Sequence, residues 1–236
     1  MIDNVLNMLI KDEHFRNLYK SFIVLKSRED AEMQQKFLKL PSMDIDSDEI
    51  TLEDIPLDYD TNAVILYPYI DHTAGMSFLV IATALLEGDF MTVYDRQDNF
   101  EVCSTIRKES LNDKEFIFAE NLKVQSGFDF KPIFQYAADM SKVHMGDSKL
   151  ETLRMLDLID DSREDDYPDD ILVYFFKENF TPEGIWVRGE ELTESCIVGT
   201  LLNQPNQDLG VSRSDKVEVY LEKDPTGNII CFVDLN

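Results

Sequence analysis

Three aspartates alternate in the stretch DIDSDEITLEDI, residues 44–55. Asp44, Asp46 and Asp48 stand where the first, third and fifth ligands of a calcium loop would be. Such a loop also needs glycine at its sixth position for the bend and a bidentate glutamate at its twelfth. Those positions hold Glu49 and Ile55, so the stretch reads as an acidic linker and no calcium site is expected. In MGDSKL (145–150) a glycine, an aspartate and a serine follow one another as in a hydrolase nucleophile block. A nucleophilic serine needs a preceding strand and a partner histidine. Ser148 instead follows an expected helix and serves well as a helix N-cap. The only histidines, His14, His72 and His144, are far apart in the chain. Adjacent carboxylates at Asp160/Asp161 and Asp169/Asp170 are of the right type for acid–base chemistry, but in a hydrophilic run such pairs usually face water. Neither a phosphate-cradling glycine loop nor a His/Cys pair at ligand spacing occurs. No catalytic, cofactor-binding or metal-binding residue is therefore expected.

Charge restricts the partners. The 236 residues carry 47 acids against 22 Lys and Arg, a formal net charge of −25. Such a field repels nucleic-acid phosphate and anionic membrane, and attracts basic proteins. At 44% hydrophobic and 11% aromatic, the chain has the material for a core. Its odd, widely spaced cysteines (Cys103, Cys196, Cys231) make no disulfide framework. The N-terminus has no basic region of the signal-peptide kind. The longest apolar run, MSFLVIATALL (76–86), is too short to span a bilayer. These features together point to the cytoplasm.

The elements follow from periodicity. Apolar positions at Val5, Leu6, Leu9, Ile10, Leu18 and Phe22 predict an amphipathic helix over 2–26. A second helix is predicted over 28–40, ending before Pro41. Strands are predicted over 63–70, 90–94 and 100–106, with the apolar run 76–86 joining them in an antiparallel sheet. Helical spacing returns over 111–122, 132–143 and 148–159, the last with Ser148 and Glu151 as a capping box. The run DLIDDSREDDYPDD (157–170), eight acids and one arginine, reads as an exposed connector. Beyond it, ILVYFF, GIWVR, SCIVGTLL, KVEVYL and NIICFV make five short strands, enough for a small barrel. The expected class is α+β: a helix-flanked antiparallel sheet over 1–165, then a small five-stranded β-barrel-like module over 166–236. The aromatics Phe116, Phe118, Phe128, Phe130, Phe134 and Tyr136 are read as core rather than groove.

The segment GTLLNQPNQDLGVSRSDKVEVYL (199–221), after the tryptophan strand GIWVR, resembles the YegJ-like family of bacterial domains of unknown function. The family's Gly-x-Leu-x-Asn-x-Pro element is present as Gly199, Leu201, Asn203 and Pro205, and its tryptophan as Trp186. Its Gly-Asp pair is altered, because Ser214 stands before Asp215. The resemblance covers about the last 70 residues and implies a small β-rich module. It carries over no activity.

The function that fits is a non-enzymatic cytoplasmic bacterial binding protein, for example an immunity or inhibitor protein that neutralises a basic partner such as a nuclease-type toxin. Asp160, Asp161, Asp165 and Asp166 are the acids expected to face that partner, with nucleic acid and membrane excluded. Two other classes stand beside it: a hydrolase with an unrecognised acidic site, and a structural or regulatory module without a tight partner.

Overall fold

In the computed structural model the described residues are 8–26, 61–94, 105–124 and 146–236, with Gln135, Ala137, Asp139, Lys142 and His144. They fall in two units, Met1–His144 and Met145–Asn236. The division lies before the 165/166 boundary expected from composition, because the helix and turn that precede the barrel strands pack on the barrel itself.

The first unit is built on a long hairpin. β3 (Ala63–Asp71) and β4 (Gly75–Glu87) pair antiparallel along their length. Asp71 fixes the turn, its Oδ1 accepting from the Thr73 amide at 2.8 Å and the Thr73 hydroxyl at 2.7 Å. Gly75 then takes φ +74°, open to glycine at little cost. The rest of the sheet comprises β1 (Met8–Leu9), β2 (Ile23–Lys26), β5 (Phe90–Tyr94), β6 (Thr105–Arg107), β7 (Glu115–Phe118) and β8 (Lys123–Val124). Its order is β1-β7-β2-β3-β4-β5-β8, with β6 also on β4. The β5–β8 pair is parallel.

MSFLVIATALL is apolar apart from Ser77 and Thr83 because both faces of β4 are covered. Met76, Phe78 and Val80 join one core cluster, and Leu79, Ile81, Ala82, Ala84 and Leu86 join another. The change of phase comes from a register shift opposite Ile65/Leu66, where Ile65 faces Ala82 and Leu66 faces Val80. That bulge inserts one residue and restores burial on both sides.

Three expectations need correcting. The helix over 2–26 reduces, in its described part, to a 3₁₀ turn at Ile10–Asp12 and one short helix, α1 (Phe15–Leu18). Lys20 takes φ +61°, which no helix continues, and β2 follows. Ile10, Leu18 and Ile23 are core residues, so the apolar spacing was real but served turns and a strand. The helix over 111–122 is instead β7 between 3₁₀ turns at Lys108–Leu111 and Ala119–Asn121. Phe116 is fully buried there, edge-on to Phe118. Of the helix over 132–143, Gln135, Ala137 and Asp139 are described and helical. The helix over 28–40, the acidic stretch 44–60, Cys103 and the aromatics at 128, 130, 134 and 136 lie outside the described residues.

The third correction opens the second unit. α2 (Ser148–Arg154) is capped by Asp147, not Ser148. The Asp147 Oδ1 accepts from the Lys149 and Leu150 amides at 2.9 and 3.0 Å. Glu151 consequently sits one position too late for a capping box and pairs with Arg154 at 3.0 Å. A 3₁₀ turn, Asp157–Ser162, leads to the barrel strands β9 (Asp170–Phe176), β10 (Glu183–Leu192), β11 (Ile197–Leu201), β12 (Lys216–Lys223) and β13 (Ile229–Asp234). They form a closed barrel in the order β10-β11-β12-β13-β9. The architecture is α+β, as expected. Val173, Phe175, Ile185, Val187, Ile197, Val219 and Cys231 fill the barrel. Burial pushes the Cys231 thiol up. Among the described residues, no helix is long and apolar enough to cross a membrane.

Candidate partner-binding surface

The acidic run 157–170 does not lie loose, and two guanidiniums account for that. Arg154 is fully buried. Its Nε and Nη2 donate to the Asp169 carboxylate at 3.0 and 2.6 Å. Arg163 donates from Nη2 to the carbonyls of Leu153 (2.7 Å) and Leu156 (3.3 Å), from Nη1 to the Pro168 carbonyl, and from Nε to Asp160 at 3.3 Å. One arginine thus satisfies carbonyls at the end of α2, which the helix cannot satisfy itself. At the far end Asp170 accepts from Arg188 Nε and Nη2 at 2.7 and 3.0 Å. That hydrogen bond, ahead of the opposing effect of burial, raises the Arg188 pKa. Asp169 and Asp170 therefore serve separate guanidiniums, and they do not form an acid–base pair.

Along this pinned segment Asp161 and Asp165 are exposed, and Asp160 and Asp166 are half-buried. Asp160 faces Arg163, and the Asp166 amide donates to Glu164 at 2.9 Å. The four expected acids are thus on one ordered segment, two fully outward and two partly turned in. With them come two side chains that sequence reasoning passed over: Met155, 52% exposed, and Leu158, 55% exposed. The expected helix ran on to 159. α2 ends at Arg154, and the following turn swings Leu158 outward.

A second surface lies on the barrel wall. Outward positions of β12, β13, β9 and β10 align Tyr220, Phe232, Tyr174 and Gly184 in register. Tyr220 and Phe232 rings lie 6.0 Å apart, and Phe176 meets Phe232 edge-on at 6.2 Å. Tyr174 leans across Gly184, where a Cβ would stand 3.7 Å from its ring. Tyr174 and Tyr220 are 40% and 37% exposed. The readable signal was an aromatic in the polar phase of an alternating strand, as in KVEVYL.

The sheet unit contributes a polar row across β3, β4 and β6. Tyr69 faces Ser77, and Ser77 faces Arg107. Arg107 Nη1 donates to Ser77 Oγ at 2.7 Å, and Ser77 donates to the Gly75 carbonyl at 3.1 Å. Tyr69 shares a hydrogen bond with Thr105 at 3.3 Å, and burial raises its pKa. Burial also opposes ionisation of Asp71, but Thr73, His144 and Arg107 outweigh it and lower its pKa. With its proton on a carbonyl and its oxygen facing a cation, Ser77 has the surroundings of a structural hydroxyl rather than a nucleophile. The histidines weighed for Ser148 have other contacts: His14 caps α1 through Nδ1, and His144 lies against the Tyr69 ring. Among the described residues no group of three or more His, Cys, Asp or Glu is placed to hold a metal.

No family model matches the chain, and no curated protein or solved structure matches it either.

Proposed function

We propose that the chain is a non-enzymatic, cytoplasmic bacterial binding protein that captures a basic protein partner, in the manner of an immunity or inhibitor protein. One observation carries the reading. Among the described residues, the two most exposed large apolar side chains, Met155 and Leu158, lie in the same short segment as Asp157, Asp160, Asp161, Asp165 and Asp166. An apolar centre with a charged rim is the usual anatomy of a protein interface. The segment is held in place beforehand by Arg154 and Arg163, so little ordering is left to oppose binding. The acids steer a basic partner in, and Met155 and Leu158 hold it.

The YegJ-like reading of the barrel is part of the same proposal, and the backbone supports it. At Ser214, where the family pattern has glycine, φ is +77°, a region glycine favours. Gly199 passes so close to β10 that a Cβ would stand 2.5 Å from the Arg188 carbonyl oxygen. Asn203 Oδ1 accepts from the Trp186 amide at 2.9 Å, and Leu201 and Pro205 are buried. Each motif residue thus has a structural task in closing the barrel.

The test is a pull-down from the native host at low salt with stepwise salt elution, followed by surface plasmon resonance on the captured partner. Neutralising Asp160, Asp161, Asp165 and Asp166 to Asn is expected to slow association about tenfold at low salt. Leu158→Ser is expected to speed dissociation instead. Capture of nucleic acid alone, or an association rate and salt slope unchanged by the neutralisation, would overturn the reading.

A further inference from the structure

We infer that the aromatic strip on the barrel wall is a second binding site, one that stacks the guanidinium groups of an extended, arginine-bearing segment. Its rings stand on β12, β13 and β9, outside the run 155–166 that carries Leu158 and the acids, so it is tested separately from the acidic segment.

The strip runs across strands rather than along one. Tyr220, Phe232 and Tyr174 are direct cross-strand neighbours on β12, β13 and β9. The Tyr220 and Phe232 rings lie 6.0 Å apart, close to the roughly 6.6 Å between every second side chain of an extended segment, so the row can receive alternate side chains of a peptide laid across the wall. Gly184 ends the row without a side chain, where a Cβ would stand 3.2 Å from Leu172 Cδ1 and 3.7 Å from the Tyr174 ring. Trp186 follows two residues on, in the same outward phase of β10.

Charge selects the occupant. Glu218 and Glu222 flank Tyr220 on the outward phase of β12, and Asp234 follows Phe232 on that of β13; all three acids are exposed. The Tyr220 hydroxyl donates to Glu218 Oε2 at 2.7 Å, which places a carboxylate at the edge of the ring. An aromatic face with carboxylates at its edge attracts a planar cation, and arginine stacks there better than lysine because its guanidinium is flat and weakly hydrated. The same unit already makes such a contact internally, with Lys177 Nζ 4.9 Å from the Phe180 ring centroid. Nucleic acid could also stack on these rings, but the flanking acids repel its phosphates.

The test uses the full chain and three peptides of one length in which glycine alternates with arginine, lysine or citrulline, titrated by calorimetry. The arginine peptide is expected to bind more tightly than the lysine peptide, and the citrulline peptide not at all. Tyr174→Ser and Tyr220→Ser are each expected to weaken the arginine peptide about two- to fivefold, whereas Tyr220→Phe, which keeps the ring and loses only the anchor of Glu218, weakens it less. Asn at 160, 161, 165 and 166 should also leave it unchanged, so failure here and failure of the acidic-segment reading are separable. Three results would overturn the inference: equal affinity for arginine and lysine that vanishes in high salt, serine variants that bind like the parent, or a concentration-dependent dimer in sedimentation that Tyr174→Ser dissolves. The last would assign the strip to a second copy of the chain.

Discussion

Ser214 carries a backbone conformation that its side chain makes costly. A residue with a Cβ in the left-handed region is disfavoured by about 1–2 kcal/mol relative to glycine, and Ser214 donates only its amide, to the Leu201 carbonyl at 2.9 Å. Ser214→Gly is therefore expected to stabilise the barrel by about 1 kcal/mol, read as a higher denaturation midpoint with an unchanged slope. Asp147 makes a pH prediction. The Leu150 amide first, then that of Lys149, holds its carboxyl below the ordinary 3.8. The stabilisation is fully present above that unfolded value and is lost as pH falls through the lower folded one. Asp147→Asn keeps the cap and should flatten the decline in Tm on acidification below about pH 4, followed by circular dichroism. At this scale the helix start near Ser148 was legible, because a polar capping residue stands just ahead of apolar helical spacing. Arg154 and Asp169 were not. Their pairing joins residues from a helix and from a run that reads as solvated, and local composition cannot register a partner across that gap.

The elements differ in how much of themselves the sequence displays. The five barrel strands were readable because each is a short run rich in β-branched and aromatic residues bounded by turn residues. The segment 2–26 was misread because isolated apolar residues at helical spacing also fit a turn, a single helical turn and a strand. The connector 157–170 was read as exposed, and Arg154 and Arg163 pin part of it instead. Removing one partner of a buried ion pair leaves the other charge uncompensated, at a cost of about 3–5 kcal/mol. Glu151 stays beside Arg154 at 3.0 Å, so Asp169→Asn should destabilise the barrel unit by part of that, about 2–3 kcal/mol. Trypsin provides a second reading. The bond after Arg163 should resist cleavage in the parent protein, because that side chain is bonded to three carbonyls and Asp160. It should be cut early in Asp169→Asn, as followed by mass spectrometry.

For the whole molecule, charge and division decide the outlook. A net charge of −25 makes the folded chain repel itself, so moderate salt should raise Tm by screening even as it slows capture of a basic partner. The two effects have opposite signs, and a salt series on both reads them apart. The barrel unit has its own core, with α2 seated on it. Gly189 has no side chain at that contact, where a Cβ would stand 2.6 Å from Leu153 Cδ2. Residues 145–236 expressed alone are expected to give a cooperative thermal transition and dispersed amide resonances, whereas 166–236, which lacks α2, should not.

The barrel closes through one unlike pair. Four of its five pairings are antiparallel between consecutive strands, while β13 meets β9 in parallel. The antiparallel pairs are local and cheap in loop entropy; the closing pair waits for distant ends of the unit to meet. Phe232 and Tyr174 become neighbours only in that last step. The aromatic strip therefore does not exist on an open barrel, and anything that spans those two rings binds the closed form alone. Such a ligand would act as a clasp: by mass action it must slow unfolding and raise Tm with its own concentration, even though it touches only the outside.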